Sequence, residues 1–385
     1  MRAMPAPHRV LQLIQAPQHR GAEVFAVQLS TALRARDWQS TVMSLYPGDE
    51  RFVEAARAAT VWGGVIGRQR TPAVLSWSLL REVAGAIEAG RYPIVQANGA
   101  ATLKYLATAR LMRGRRWRLI YRTIGMPSYW HQDPLRAAAY RWWFRQADLV
   151  VAVCERAGEE LVSHVGLAPR RITVIPNGVD ARAFLNGASG ARARLRAEAG
   201  TGPDDVVVAH VGSFSAEKNH GTLVRAAAAL RAAGVPLRLW LVGDGPARGA
   251  VEAMVRDTRL ADRAWLPGVR PDIADVLAAA DLLVLPSLTE GMPAVVIEAG
   301  LSRLPVVAFN VGGIDEVVQD GRTGLLVAAG DESALQAAMT RLARDAGLRR
   351  TMGEAAREAC LAYDIGRIAA RYADTYDRVL AAAGS

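Results

Sequence analysis

Short apolar runs recur along this chain, separated by amphipathic stretches or by turns bearing glycine or proline. VLQLIQA (10–16), QSTVMSLY (39–46), PIVQAN (93–98), WRLIYRT (117–123), DLVVAV (148–153) and ITVIPN (172–177) read as buried strands. AEVFAVQLSTALRAR (22–36) reads as an amphipathic helix. Strands spaced by helices of about 10–15 residues indicate βαβ units and a parallel sheet. An Ala-, Arg- and Gly-rich stretch (182–204) interrupts the pattern and marks a passage between domains. The pattern then restarts with DVVVAHVG, LRLWLVG, AWLPGV, DLLVLPS, LPVVAFN and GLLVA. At 385 residues the chain exceeds the size at which one core usually divides. The expectation is an α/β protein of two doubly wound, Rossmann-like domains, residues 1–181 and 182–361, facing a central cleft that takes the ligand. The last stretch, YDIGRIAARYADTYDRVL (363–380), has apolar residues at helical spacing.

With 51% hydrophobic and 22% charged residues the chain is globular. Cys154 and Cys360 are too few and too far apart for a disulfide framework or a cysteine-based zinc site, which suits a reducing cytosol. No apolar run reaches the length of a membrane span, and the N-terminal run is too short for a signal-peptide core. The expected location is cytoplasmic, with peripheral contact at the inner membrane face as a further reading. That reading comes from charge: residues 1–180 carry 24 Lys+Arg against 13 Asp+Glu, whereas 181–385 are nearly balanced. Arg110, Arg113, Arg115, Arg116, Arg118 and Arg122 surround Trp117. They read either as a solvated helix end or as a patch for an anionic membrane or acceptor. Nucleic acid is disfavoured, since no recognisable binding module accompanies the charge.

SLTEGMPAVVIEAGLSRLPVVA (287–308) carries the most chemistry. A strand ends at Pro286, and Gly291-Met292-Pro293 opens a helix in which Pro293 suits the first turn. Glu290 precedes that helix and Glu298 lies about one and a half turns in. Two carboxylates framing a helix amino terminus suit sugar hydroxyls beside a phosphate. Upstream, HVGSFSAEKNHGTLVRA places Gly212, Ser213 and Lys218 between a strand and a helix, where a lysine can neutralise a diphosphate. LVGDGP, with Gly243, reads either as a nucleotide-handling turn or as a plain tight turn. It is not the dinucleotide fingerprint, whose sixth position is here Arg248, and this disfavours a nicotinamide dehydrogenase. Lys104 and Lys218 are the only lysines, which disfavours pyridoxal chemistry.

Taken together, these motifs resemble glycosyltransferase family 4, whose signature has two glutamates separated by seven residues around a Gly-x-Pro turn. The resemblance covers 172–327 almost without a gap, including WLPGVR (265–270) and VGGIDEVVQDGRTGLLV (311–327). It implies the GT-B fold and a retaining, metal-independent transfer of sugar from a UDP-, GDP- or ADP-sugar to a glycan, lipid-linked or other hydroxyl acceptor. By this resemblance Glu290 takes the donor sugar, Glu298 the ribose and Lys218 the diphosphate. Backbone at Gly268, Val269 and Arg270 reads the base, and Gly21 of HRGAEVFAVQL brings backbone near the phosphates. The terminal helix, 362–385, would cross back onto the first domain. No Asp-x-Asp occurs to clasp a metal, and no cofactor is expected. The sequence departs from the family at Ser213, where arginine is usual, at Arg20, where glycine is usual, and at Ile124-Gly125, where a histidine precedes the glycine. His131 is the candidate for the missing histidine, with an ordinary surface histidine as the competing reading. Arg122 and Trp130 are equal candidates to shape the acceptor pocket. A sugar-nucleotide epimerase and a non-catalytic partner of the same fold remain alternatives.

Overall fold

The structure, a computed structural model, describes residues 8–68, 75–114, 116–128, 134–185 and 190–382. The chain divides into two compact units: residues 1–179 with 365–385, and residues 180–364.

The first unit is built on seven strands: β1 (His8–Ile14), β2 (Trp38–Ser44), β3 (Trp62–Val65), β4 (Ile94–Asn98), β5 (Arg118–Arg122), β6 (Leu149–Ala152) and β7 (Ile172–Val174). All pair in parallel, in the order β3-β2-β1-β4-β5-β6-β7. The order reverses between β1 and β4, so the loops after these two strands diverge and leave a crevice at the carboxyl edge. Every residue of β4 is buried, as a strand covered on both faces requires. The sequence reading missed β3. WGGV carries little apolar signal, yet Gly63 is needed because a Cβ there would lie 2.4 Å from the Thr41 side chain of β2.

Helix Ile365–Ala381 belongs to this unit. Its Ile368, Tyr372 and Tyr376 pack with Phe25, Leu29 and Leu33 of helix Gly21–Leu33 and with Trp38. A closed ring of buried hydrogen bonds sets the helix register. Gln12 donates to the Tyr376 hydroxyl (2.9 Å), which donates to Gln96 (2.7 Å); Gln96 donates to Asn98 (3.2 Å), and Asn98 donates back to Gln12 (3.0 Å). A fully satisfied polar ring of this kind disfavours any slip of the helix, since a slip leaves buried amides unpaired.

In the second unit six strands, β8 (Val206–Val211), β9 (Leu237–Val242), β10 (Ala264–Gly268), β11 (Leu282–Leu285), β12 (Val306–Phe309) and β13 (Gly324–Val327), pair in parallel in the order β10-β9-β8-β11-β12-β13. Here the order reverses between β8 and β11. The Ala-, Arg- and Gly-rich stretch, read as marking the passage into the second domain, falls within this unit. Its helix Ala191–Glu198 packs on helix Ile273–Ala279, and Arg192, Arg194 and Arg196 pair with Asp281 or Asp275. The partner aspartates lie some 80 residues on in the sequence. Among the described residues no helix is long and apolar enough to cross a membrane.

Candidate functional site

β8 and β11 are neighbours, so the loops that follow them lie side by side where the second sheet's strand order reverses. The first loop contains Gly212 and Ser213 and ends in a 3-10 turn, Ala216–Lys218. Asn219, in the left-handed region at φ 53°, then turns the chain into helix His220–Ala232. The second runs from Pro286 to Pro293, which caps helix Ala294–Leu301 from outside rather than standing in its first turn. Lys218 Nζ donates to Glu290 Oε1 at 2.6 Å. The pair is largely withdrawn from water, with the side chains 17% and 9% exposed. A second bond ties the loops together: the Leu288 N–H donates to the Glu217 carbonyl at 2.8 Å. Residues separated by 72 positions thus become one ammonium–carboxylate unit.

Two glycines hold the loops in place by letting backbones touch. Gly243, after β9, has φ +137°, and a Cβ there would lie 1.9 Å from the Gly212 carbonyl. Its N–H donates to the Gly268 carbonyl at 2.9 Å. Gly312, after β12, has φ +58°, and its Cβ would lie 1.9 Å from the Glu290 carbonyl. Beside it the Gly313 N–H donates to the Gly291 carbonyl at 2.7 Å. Backbone at Glu290 and Gly291 is therefore pinned from the next loop, while buried Met292 anchors the turn into the helix.

Glu298, the fifth residue of helix Ala294–Leu301, is partly buried. Burial alone pushes its carboxyl up to about 7; no cation or hydrogen-bond donor among the described residues offsets the desolvation. A carboxylate kept this way inside a crevice is suited to accept from hydroxyls that arrive with a ligand.

Beneath the Lys218 loop are two histidines whose importance the sequence reading missed. His210, fully buried on β8, donates from Nδ1 to the Val284 carbonyl at 2.9 Å. Its ring meets that of His220 edge-on at 4.5 Å, and His220 stacks on Phe214 at 4.3 Å. Burial lowers His210 to about 3 and His220 to about 4, with Lys218 adding to both shifts. Both rings are neutral at pH 7 and contribute shape, leaving the loop's positive charge to Lys218. The signal available was a histidine inside the apolar run DVVVAHVG, where Val206 to Ala209 before it are all buried.

Other expected site residues are placed differently. Ser213 shares a hydrogen bond with Ser215 (3.0 Å), which donates to Glu217 (2.7 Å), so the position usual for arginine is part of a neutral hydroxyl chain. The Arg270 guanidinium is paired with Asp272 and Glu198 at 2.8 and 2.5 Å and lies over Trp265. The guanidinium is thus engaged within the protein, which leaves the expected backbone contact at Gly268–Arg270 untouched; Val269 beside it is 62% exposed. In the first unit, Gly21 opens its helix, and a Cβ there would meet nothing within 4 Å. The basic stretch is broken up. Arg110 is buried and paired with Asp148 at 2.8 Å, and Arg122 is buried over Phe25 and donates to Asn177. Strand alternation and helix packing turn these two inward, so Arg110–Arg122 is not a continuous surface patch. Burial also pushes the nearby Glu23 carboxyl up to about 7, against the pull of Arg20 and Arg122. Arg115, Trp130 and His131 lie outside the described residues.

The family model described as Glycosyltransferase Family 4 matches residues 19–183, and that described as Glycosyl transferases group 1 matches residues 205–345. Among curated proteins, N-acetyl-alpha-D-glucosaminyl L-malate synthase of Bacillus anthracis is 31% identical over 227 residues, covering 59% of this chain and 58% of that protein. The 2-deoxystreptamine glucosyltransferase of Streptomyces kanamyceticus is 34% identical over 219 residues, covering 56% of each. The chain thus spans little more than half the length of the curated relatives it matches. In fold it matches Anabaena HepE, solved in complex with UDP-glucose, at TM-score 0.84 and 24% identity over 96% of this chain and 99% of that one.

Proposed function

Because the chain belongs to glycosyltransferase family 4, we infer that it transfers a sugar, with retention and without a metal ion, from a nucleotide-diphospho-sugar to a hydroxyl acceptor. One observation carries this reading: the Lys218–Glu290 pair stands where the second sheet's strand order reverses, with the unpartnered Glu298 on the helix that follows. Without donor, Glu290 keeps the Lys218 ammonium in position. An arriving diphosphate competes for that ammonium, and Glu290 is released to the sugar hydroxyls. The leaving diphosphate is then stabilised by Lys218 and by loop N–H groups, an electrostatic contribution that needs no reorganisation at the moment of reaction. Ser213 removes one cationic fork from this cradle, so Lys218 bears more of the diphosphate charge than it would beside an arginine. A UDP-sugar is the first donor to try, given the ligand of the HepE structure. Acceptor binding falls to the first unit, and the chain's relatives are named for partners as different as malate and 2-deoxystreptamine. The excess of arginine in that unit favours an anionic or lipid-linked acceptor and a peripheral site of action at the inner membrane face.

Calorimetric titration with UDP, GDP and ADP in EDTA tests the donor site. One diphosphate should bind clearly best. Ribose hydroxyls donate to a carboxylate, so only ionised Glu298 binds them well. Its raised pKa therefore makes affinity rise from about pH 6 to about pH 8 and level off above. Glu298→Gln should lower affinity about tenfold at the upper pH and flatten the dependence. A pH-independent affinity that is unchanged by Glu298→Gln removes Glu298 from the site. Failure of all three diphosphates to bind returns the chain to the non-catalytic reading.

A further inference from the structure

We propose that the amino-terminal edge of the first sheet holds a second binding site, for a phosphate group. β5, β6 and β7 begin side by side there, at Arg118, Leu149 and Ile172. This is the edge opposite the loops that carry Gly21 and Gly99. A cavity of about 390 Å³ lies between these strand starts and the last turns of helix Ile365–Ala381, lined by Arg118, Asp148, Arg170, Arg378, Ile172 and Val379 among others. A hollow of about 320 Å³ shares Arg118 and Asp148 with it and adds Arg110, Arg116 and Trp117.

Charge at this edge is unbalanced. Asp148 is the acidic residue among the lining, and it is already answered by Arg110 at 2.8 Å, by Arg118 at 3.3 Å and by the Leu119 N–H at 2.7 Å. Arg378 donates only to neutral acceptors, the Asp374 carbonyl and the Thr375 hydroxyl. Arg116 and Arg170 have no hydrogen bond or ion pair among the described residues. Arginines with a carboxylate in reach are paired with it, as Arg192, Arg194, Arg225, Arg231, Arg238 and Arg263 are in the second unit. Guanidinium groups gathered in a concavity without counter-charge match the oxygens of a phosphate, which accept paired N–H bonds. The apolar part of the wall, with Ile172, Val379 and Leu380, leaves room for the body that carries the phosphate. That body is either a soluble ester or a lipid whose head enters the cavity.

The test uses the full chain, as wild type and as Arg170→Glu/Arg378→Glu. Both residues are exposed, so the substitutions spare the core. A second double variant, Arg51→Glu/Arg81→Glu, makes the same change in net charge at exposed positions that do not line the cavity. Binding to inorganic phosphate is measured by calorimetry at fixed ionic strength. Binding to vesicles of phosphatidylglycerol in phosphatidylcholine is measured by co-sedimentation. We expect binding in at least one arm, lowered about tenfold by the cavity variant and unchanged by the control. Retention by vesicles alone identifies a lipid head as the source, and phosphate binding alone identifies a soluble ester. No binding in either arm, or equal losses in both double variants, overturns the site. UDP binding, measured in parallel, stays at the wild-type value in the cavity variant, so this result and the donor-site result are independent.

Discussion

Replacing Lys218 with methionine is expected to lower sugar transfer about a thousandfold, close to the loss recorded when one preorganised charge stabiliser is removed from an active site. The ammonium contacts Glu290 at 2.6 Å, and both buried histidines below it are neutral, so no neighbouring imidazolium replaces the charge. Methionine keeps the length and apolar stem, which confines the change to the charge. The variant also leaves the Glu290 carboxylate, 9% exposed, without its partner. A cost of about 1–2 kcal/mol in folding stability follows, smaller than for a fully enclosed pair because Lys218 retains some access to water. Adding Glu290→Gln should recover that stability, read as the midpoint of thermal unfolding, without recovering transfer. Wild-type rates in Lys218→Met would mean that the pair is only a structural tie between two loops.

Gly312→Ala is expected to reduce transfer about a hundredfold with the fold intact. Alanine at φ +58° costs about 1 kcal/mol by itself. The larger consequence is steric: the new methyl would lie 1.9 Å from the Glu290 carbonyl, against backbone that cannot swing aside as a long side chain would. Relief requires the Glu290–Gly291 backbone to move, and with it the carboxylate proposed to face the sugar. Displacement of about 1 Å in a positioning group is enough to cost two orders of magnitude. Gly321→Ala is the matched control. It has a comparable φ of +72°, but its Cβ would meet nothing within 4 Å. The control should lose the same small amount of stability and keep its rate. Equal rates in both variants would show that Gly312 serves only the turn, and a crystal structure of Gly312→Ala would show directly whether Glu290 has moved.

Much of the second unit was legible because its signals are local. Its strands are short, mostly apolar runs, fully so in LLVL and VVAF, and the Lys218 and Glu290 loops each have a glycine and a charged residue within a few positions of a strand end. The Glu290–Glu298 spacing holds within one turn and one helix, so nothing distant can alter it. The first unit was harder to read. WGGV carries no apolar pattern, and only contact with Thr41 explains its glycine. Arg110 and Arg122 look alike in sequence to Arg113 and Arg116. Their burial depends on which face of the helix and strand turns toward Asp148 and Phe25, residues 38 and 97 positions away. The Arg270–Glu198 pair is equally invisible in sequence, because its partners are 72 positions apart.

Period, turn chemistry and motif spacing determined the fold class, the restart into a second sheet and the identities of Lys218, Glu290 and Glu298. These depend on the φ/ψ preferences of neighbouring residues and on the burial of one strand at a time, interactions that act over a few positions. Strand order was decided only in three dimensions. Placing β11 beside β8 brings Lys218 onto Glu290, and placing β12 next in turn sets Gly312 against the Glu290 backbone. The same folding settled which arginines are paired and which stand open around the cavity at the other edge of the first sheet. Ion pairing requires a carboxylate within about 4 Å, and no spacing along the chain reports that distance.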